Sequence, residues 1–468
     1  MEIKKVDVAV LGGGPGGYPA AIYLANAGKK VALIEAKYVG GTCLNWGCIP
    51  TKALVTSVNL LRDIKNAESF GLHVSQAKAD WPLMVAQKNE IVSGLRSSLD
   101  KLIRASGVEI IQGQGVLTSP KKIEVKGKTP TSMEADAIIL ATGSEPKDIK
   151  AFPFDGKFIH SSTTILDLES IPESILIIGA GAIGCEFASI FAALGSKVIL
   201  VEALSRILPL ECETISAAVA EGFKKDGIEI LCGHTVEATK SLKDGIEVTL
   251  SDKRTLKVSC VLSAVGRRLN TDSFSAVPIK MEKGAVIVDE YLSTSVPGIW
   301  AIGDITGKMM LAHAATHQGI TAARNILGEK VRMNYDAIPA ATFTYPEVGS
   351  IGLTLEAAKK KGIKAKAYSY PFSALGRSLA SRAPEGFAEL VVEEDTGKII
   401  GAQVVGHNAC ELIAIIGVAL ANEIPIECLA DTIQAHPTFA EAWLEASLIA
   451  CKTPLHFPKT LASKLTRG

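Results

Sequence analysis

The chain has 468 residues, 47% of them apolar and 21% charged, and its 49 Lys and Arg match 49 Asp and Glu, so the formal net charge is zero. That length predicts roughly three domains, the apolar share supplies several cores, and the charge balance excludes nucleic acid and an electrostatically held membrane as partners. Nine cysteines are too few and too scattered for a secreted disulfide framework and point to a reducing compartment, where a disulfide is more often catalytic than structural.

Met1 to Lys5 leads straight into a strand pattern with no signal peptide in view. Val6-Asp7-Val8-Ala9-Val10-Leu11 reads as a buried parallel strand. Gly12, Gly14 and Gly17 then match G-x-G-x-x-G. Gly12 permits the tight turn, Gly14 lets a pyrophosphate approach the backbone, and Gly17 allows close helix–strand packing. Val31 to Ile34 forms the next strand, and Glu35 closes it where a ribose hydroxyl would be bound.

Shortly afterwards come Gly40-Gly41-Thr42-Cys43-Leu44-Asn45-Trp46-Gly47-Cys48-Ile49-Pro50-Thr51-Lys52. A thiol pair beside a bound flavin accepts two electrons as a disulfide becomes a dithiol. A zinc half-site is the competing reading, but zinc wants further Cys or His at ligand spacing and none follows nearby, so no metal is expected. Two core cysteines are the other alternative. To form a disulfide the two Cα atoms must come within ~4.4–6.8 Å. An ideal helix does not bring residues i and i+5 that close, so a distorted first turn is expected. Pro50 is tolerated near a helix start, and the same helix end favours thiolate.

A helical region from Thr51 to Ser106 follows, then strands and the segment Ala137 to Ser144, containing Thr142 and Gly143. Ser174 to Glu202 repeats the opening pattern of strand, Gly-rich loop, helix, strand and acid, with Gly179, Gly181 and Gly184 as its glycines. Two such units mean two dinucleotide sites. Ile175 to Val201 is apolar enough to suggest a membrane span, but Glu186 and Lys197 interrupt it. Glu202 decides the second cofactor: a carboxylate accepts hydrogen bonds from a free 2′-hydroxyl and repels a 2′-phosphate, so NAD is expected over NADP despite Arg206 nearby. Val261 to Arg268 includes Gly266, and Gly298 to Asp304 reads as a strand ending in a carboxylate. From about Ala341 the pattern shifts to strands such as Ala388 to Val392 and to Ala409–Ala421, a helical stretch charged only at Glu411. A helix apolar nearly all round belongs in a core or an interface. The last motif is His436-Pro437-Thr438-Phe439-Ala440-Glu441.

From about Val6 to about Pro454 these motifs resemble the pyridine nucleotide-disulfide oxidoreductases with an active-site dithiol. The resemblance implies an α/β chain with two Rossmann-like dinucleotide-binding domains, for FAD and NAD, and a C-terminal α+β dimerisation domain. Its division would be an FAD-binding domain 1–149, an NAD-binding domain 150–272, a segment 273–340 returning to the FAD domain, and an interface domain 341–468. It implies Cys43 as the interchange thiol that meets substrate and Cys48 as the charge-transfer thiol beside the flavin. It implies Lys52 at the flavin N5, paired with Glu186, which would otherwise be an awkward charge on an apolar helix. His436 would be the general acid/base, oriented by Glu441 and serving the dithiol of the other subunit of a homodimer.

The same resemblance assigns FAD contacts to Gly12, Gly14, Gly17, Glu35, Lys52, Gly115, Thr142, Gly143, Asp304 and Ala312. It assigns NAD contacts to Gly179, Gly181, Gly184, Glu186, Glu202 and Gly266. It implies a cytoplasmic oxidoreductase that oxidises dihydrolipoyl groups carried by lipoyl domains around the acyltransferase core of 2-oxo acid dehydrogenase complexes, or in glycine-cleavage complexes. Three positions depart from the pattern: Gln434, Ala314 and Leu269 stand where His, Lys and Pro are common, and none removes a catalytic group. A glutathione-reducing relative is disfavoured by Glu202 and by the lack of an obvious basic glutathione site. A mercury-reducing one is disfavoured by the absence of a cysteine pair between Lys452 and Gly468. A non-catalytic FAD-binding subunit is disfavoured by the intact dithiol, Lys52, Glu186 and His436.

Overall fold

The computed structural model describes residues 3–127 and 130–468; Met1 and Glu2, at the head of the expected first strand, lie outside them. The chain divides into two compact units, Met1–Ile149 with Ser161–Ser170 and Val265–Met333, and Lys150–His160 with Ile171–Ala264 and Asn334–Gly468.

The first unit is built on a seven-stranded sheet. Strand Lys4–Leu11 lies at its centre because Val6, Val8, Ala9, Val10 and Leu11 are apolar without alternation, which suits a parallel strand covered on both faces. It pairs in parallel with Val31–Glu35, Leu11 opposite Ile34, and with Thr131–Leu140, Leu11 opposite Leu140. The C-terminal ends of all three strands therefore fall at one edge, where a doubly wound sheet binds its ligand. Strand Ile299–Ala301 also runs parallel to Thr131–Leu140. Helix Gly17–Asn26 follows the glycine loop and packs against helix Ala312–Ile326. The expected helical region is two helices, Cys48–Lys65 and Trp81–Ala105, joined by a short 3-10 turn. Asp80 caps the second by accepting the Leu83 N–H at 3.1 Å.

The second unit holds a parallel sheet in the order Glu229–Cys232, Lys197–Glu202, Ser174–Ile178, Cys260–Ser263, Ile159–Ser161. It also holds a six-stranded sheet in which Glu347–Gly352, Ile399–Gly406, Gly386–Glu393 and Ala365–Pro371 run antiparallel, with helices Ala409–Ala421 and Glu441–Ala450 packed on it. Helix Ala409–Ala421 buries Leu412, Ile413 and Ile416 in the core but leaves Val418 62% exposed. Its second apolar face is therefore uncovered within one chain. The C-terminal strand Thr466–Arg467 closes the edge of this sheet. Arg467 donates to both oxygens of Glu389 at 2.6 Å, Ser369 donates to the same carboxylate at 2.6 Å, and Glu389 is 1% exposed. Burying a carboxylate is costly unless a cation and hydrogen bonds meet it, and the last residues of the chain supply the cation. Among the described residues no helix is long and apolar enough to cross a membrane, so Ile175 to Val201 forms a strand, a turn, a helix and a strand.

Candidate active site and nucleotide loops

The two thiols lie on either side of a helix break. Helix Gly41–Trp46 begins after Gly40, whose φ of 91° only glycine adopts freely, and stops at Gly47 (φ −138°, ψ −105°). Helix Cys48–Lys65 starts immediately after it. The expected distortion is thus a full interruption between Cys43 and Cys48, with Cys48 at the head of the second helix and Pro50 in its first turn. Asn45 fixes the short helix by donating from Nδ2 to the carbonyls of Val39 and Gly41, each at 3.0 Å. Both cysteines are half-buried and unbridged. The hydrogen bond with Cys48, then burial, then the charge on Cys48 push the Cys43 thiol far above its ordinary value, and Lys52 opposes them. Cys43 is therefore held toward its protonated form. Arg267, whose side chain is largely shielded from solvent, has its guanidinium lowered by burial, with Asp304, Glu145 and Cys48 opposing.

The first glycine loop is held from three directions. A Cβ on Gly12 (φ 107°) would lie 2.2 Å from the Ala141 carbonyl oxygen, and one on Gly17 would lie 1.9 Å from the Gly12 oxygen, so neither position accepts a side chain. Glu35 accepts the Gly13 N–H on Oε2 and the Lys37 N–H on Oε1, both at 2.7 Å. Helix Gly17–Asn26 begins at the loop without a side-chain cap, so its positive end faces the loop. Gly115 stands in strand Gln114–Ser119 beside Ile34. Thr142 Oγ1 donates to the Asn270 carbonyl at 2.6 Å, and Asn270 Nδ2 returns a bond to the Thr142 carbonyl at 3.1 Å. Gly143 accepts the Asn270 N–H at 3.0 Å. Ala312 opens its helix without a side-chain cap.

Asp304 belongs to a group that sequence reasoning left incomplete. Ser144 Oγ donates to Asp304 Oδ2, Arg267 donates to Ser144 Oγ at 2.6 Å and to its carbonyl at 2.7 Å, and Arg267 lies 3.8 Å from Asp304. Gln318, fully buried, accepts the Gly303 N–H at 2.5 Å and orients the turn that carries Asp304. Ser144 and Arg267 are 123 positions apart, and no local pattern joins them.

The second loop repeats the first atom for atom. A Cβ on Gly184 would sit 1.9 Å from the Gly179 oxygen. Glu202, 8% exposed, accepts the Ala180 N–H at 2.7 Å on one oxygen and the Leu204 N–H at 2.9 Å on the other. Helix Ala182–Ala193 begins after Gly181, again without a side-chain cap. Arg206 donates to the Glu211 carbonyl at 2.9 Å. Glu186 is buried on the helix and accepts the Phe343 N–H at 3.0 Å. Gly266 (φ 112°) and Lys52 lie in the first unit.

At the C-terminal motif, His436 Nδ1 lies 2.8 Å from Glu441 Oε1, and Glu441 Oε2 accepts the Thr438 N–H at 2.8 Å. The imidazole is 78% exposed. Burial raises the Glu441 carboxyl, but hydrogen bonds from His436 and Thr438, with the charges of His436 and His456, bring it below its ordinary value. A carboxylate on Nδ1 selects the tautomer whose Nε2 carries the free lone pair. Among the described residues no cluster of His, Cys, Asp and Glu is arranged to hold a metal ion.

Comparison with known proteins agrees with this geometry. Residues 6–319 match the family described as pyridine nucleotide-disulphide oxidoreductase, and residues 338–447 match its dimerisation domain. A protein named dihydrolipoyl dehydrogenase from Chlamydia muridarum is 44% identical over 462 residues, covering 98% of this chain and 99% of its own. One of the same name from Geobacillus stearothermophilus is 36% identical over 97% of both chains. Among solved structures, LpdA of Mycobacterium tuberculosis superposes with a TM-score of 0.89 at 27% identity, covering 95% of this chain and 99% of its own. RclA, an HOCl-induced flavoprotein disulfide reductase of Escherichia coli, superposes at 0.86 with 28% identity over 95% and 99%.

Proposed function

Because the chain belongs to the pyridine nucleotide-disulphide oxidoreductase family, we propose that it is a dihydrolipoyl dehydrogenase using FAD and NAD. The observation that carries the reading is the pair of half-buried thiols split across a helix break. Bound FAD would supply a two-electron acceptor for the dithiol and a hydride donor to NAD. Gly12, Gly14, Gly17, Glu35, Gly115, Thr142, Gly143, Asp304 and Ala312 would hold FAD, and Lys52 would stand by its reactive ring. Gly179, Gly181, Gly184, Glu186, Glu202 and Gly266 would hold NAD. The uncapped helix starts and the side-chain-intolerant loops fit both groups.

The thiol chemistry belongs to the chain itself. With Cys43 and Cys48 joined as a disulfide, His436 Nε2 takes a proton from one dihydrolipoyl thiol. The resulting thiolate attacks Cys43 Sγ, the Cys43–Cys48 bond breaks, and its electron pair leaves on Cys48. The second lipoyl thiol then attacks the lipoyl sulfur bonded to Cys43, its proton passes to Cys43 Sγ as that sulfur leaves, and the lipoyl disulfide closes. One substrate proton ends on Cys43 and the other on His436. Glu441 stabilises the imidazolium through Nδ1 and stays charged.

In this reading residues 1–149 with 273–340 serve FAD, 150–272 serve NAD, and 341–468 form the contact of a homodimer. The dimerisation-domain match and the uncovered Val418 face support the dimer. The substrate arrives on lipoyl domains of 2-oxo acid dehydrogenase or glycine-cleavage complexes, and the working location is cytoplasmic. The test is NADH formation from dihydrolipoamide and NAD by the purified holoprotein. Turnover of NADPH with glutathione disulfide or mercuric ion, and none with dihydrolipoamide, would overturn the reading.

A further inference from the structure

Helix Glu441–Ala450 carries a second carboxylate one turn beyond Glu441. Glu445 is 3% exposed, its Oε1 lies 2.7 Å from His456 Nδ1, and its Oε2 accepts the His456 N–H at 3.4 Å. The His456 ring is 75% exposed, close to the 78% of His436. One helix thus presents two imidazole–carboxylate pairs, four residues apart, with the same Nδ1 facing a carboxylate. Only the first takes part in the thiol chemistry above.

Residues at i and i+4 are neighbours on a helix, with Cβ atoms about 5–6 Å apart, and like charges there repel. Two poorly exposed carboxylates in that relation need cations. His436 partners Glu441, and His456 partners Glu445. The hydrogen bond and charge of Glu445, and then the charge of Glu441, raise the proton affinity of His456. The two pairs therefore feel one another. Other groups add little charge at this place. Tyr370 of strand Ala365–Pro371 is pushed up to about 12 by burial and by Glu445 and Glu441, so it stays neutral. Glu389 of strand Gly386–Glu393 is tied to Arg467. Glu427 and Asp431, at helix Ile426–Ala430, act on Cys451, and burial raises Tyr368 with a small contribution from Cys451. His407 packs against Phe439 of the motif with ring centroids 5.2 Å apart.

We infer that His456 and Glu445 form a positioning pair for the base: His456 cancels the buried Glu445 charge one turn from Glu441 and so sets the pH at which His436 accepts the thiol proton. This rests on the reading of His436 as general base. Without the cation, a full negative charge remains one helical turn from Glu441, and a residual interaction of roughly 0.7 kcal/mol with the imidazole corresponds to about half a pH unit.

The experiment is the pH profile of kcat/KM for dihydrolipoamide oxidation by the FAD-bound dimer. H456Q should move the acid limb upward by about half a unit, because a more basic His436 must lose its proton later. The double variant H456Q/E445Q removes both charges and should return the limb to the wild-type position. H456K keeps a cation and should leave the limb in place. An unmoved limb in H456Q, or an equal shift in single and double variants, overturns the inference. If H456Q yields no holoenzyme, the comparison moves to the E445Q background. There H456K must lower the limb relative to H456Q, and coincident limbs overturn the inference. H436A run alongside separates the two readings: unimpaired dihydrolipoamide turnover in that variant would remove the general base itself, whatever His456 does.

Discussion

Glu202 holds its loop and is expected to meet the NAD ribose, two roles that a single substitution series can separate. Its oxygens accept Ala180 N–H at 2.7 Å and Leu204 N–H at 2.9 Å, and its charge is the feature expected to meet the NAD ribose. E202Q keeps one carbonyl oxygen for the loop and removes the charge. A charge-assisted hydrogen bond to the 2′-hydroxyl contributes about 1.5–3 kcal/mol, so kcat/KM for NAD should fall ~10–100-fold. Repulsion of a 2′-phosphate at ~4–5 Å contributes about 1–3 kcal/mol near a protein surface, so kcat/KM for NADP should rise by roughly tenfold or more. The NAD preference should narrow by at least ~10²-fold on combining the two effects. E202A should lose both loop hydrogen bonds as well, each contributing about 1 kcal/mol, and weaken NAD and NADP alike beyond E202Q. Steady-state kinetics with dihydrolipoamide at saturation and each nucleotide varied would measure this. A wild-type enzyme as efficient with NADP as with NAD, or an unchanged ratio in E202Q, would refute the reasoning, since Glu202 would then serve the loop alone.

Cys48→Ser should abolish the long-wavelength absorbance of the two-electron-reduced holoprotein, whereas Cys43→Ser should retain it; anaerobic titration reads both, and a band persisting in Cys48→Ser would reverse the thiol roles. His436→Ala should slow thiol oxidation by ~10²–10⁴-fold, while NADH-to-dye activity, which bypasses the thiol step, remains. Mixing Cys43→Ser with His436→Ala under subunit exchange should restore activity toward one functional site per heterodimer, and no recovery after demonstrated exchange would place thiol and base on one chain. Arg467→Ala leaves Glu389, 1% exposed, without its cation and should destabilise the protein by about 3 kcal/mol; E389Q combined with R467M should unfold later than R467A alone, and equal midpoints would mean that the tail clasp contributes nothing.

Much of this protein could be read along the chain because the relevant interactions are local. Strand, glycine loop, helix and acid fall within about 30 residues, so Glu35 and Glu202 could be placed beside their loops before any coordinates. The loop hydrogen bonds span only 22 positions in each unit. His436 and Glu441 are five residues apart, close enough for a motif to carry their partnership. The thiol pair was equally visible, but its backbone was not. The spacing calls for a distorted first turn, and only the fold shows that the distortion is a break at Gly47 and that Asn45 secures the piece before it. The Ser144, Arg267 and Asp304 group, the Glu389 clasp on Arg467 and the Glu445–His456 pair were likewise decided by tertiary structure. Their partners lie 123, 78 and 11 positions apart and share no repeat or spacing rule. A buried polar group takes whichever partner the packed chain brings within 3 Å, and that is settled only when strands and helices from distant stretches close around it.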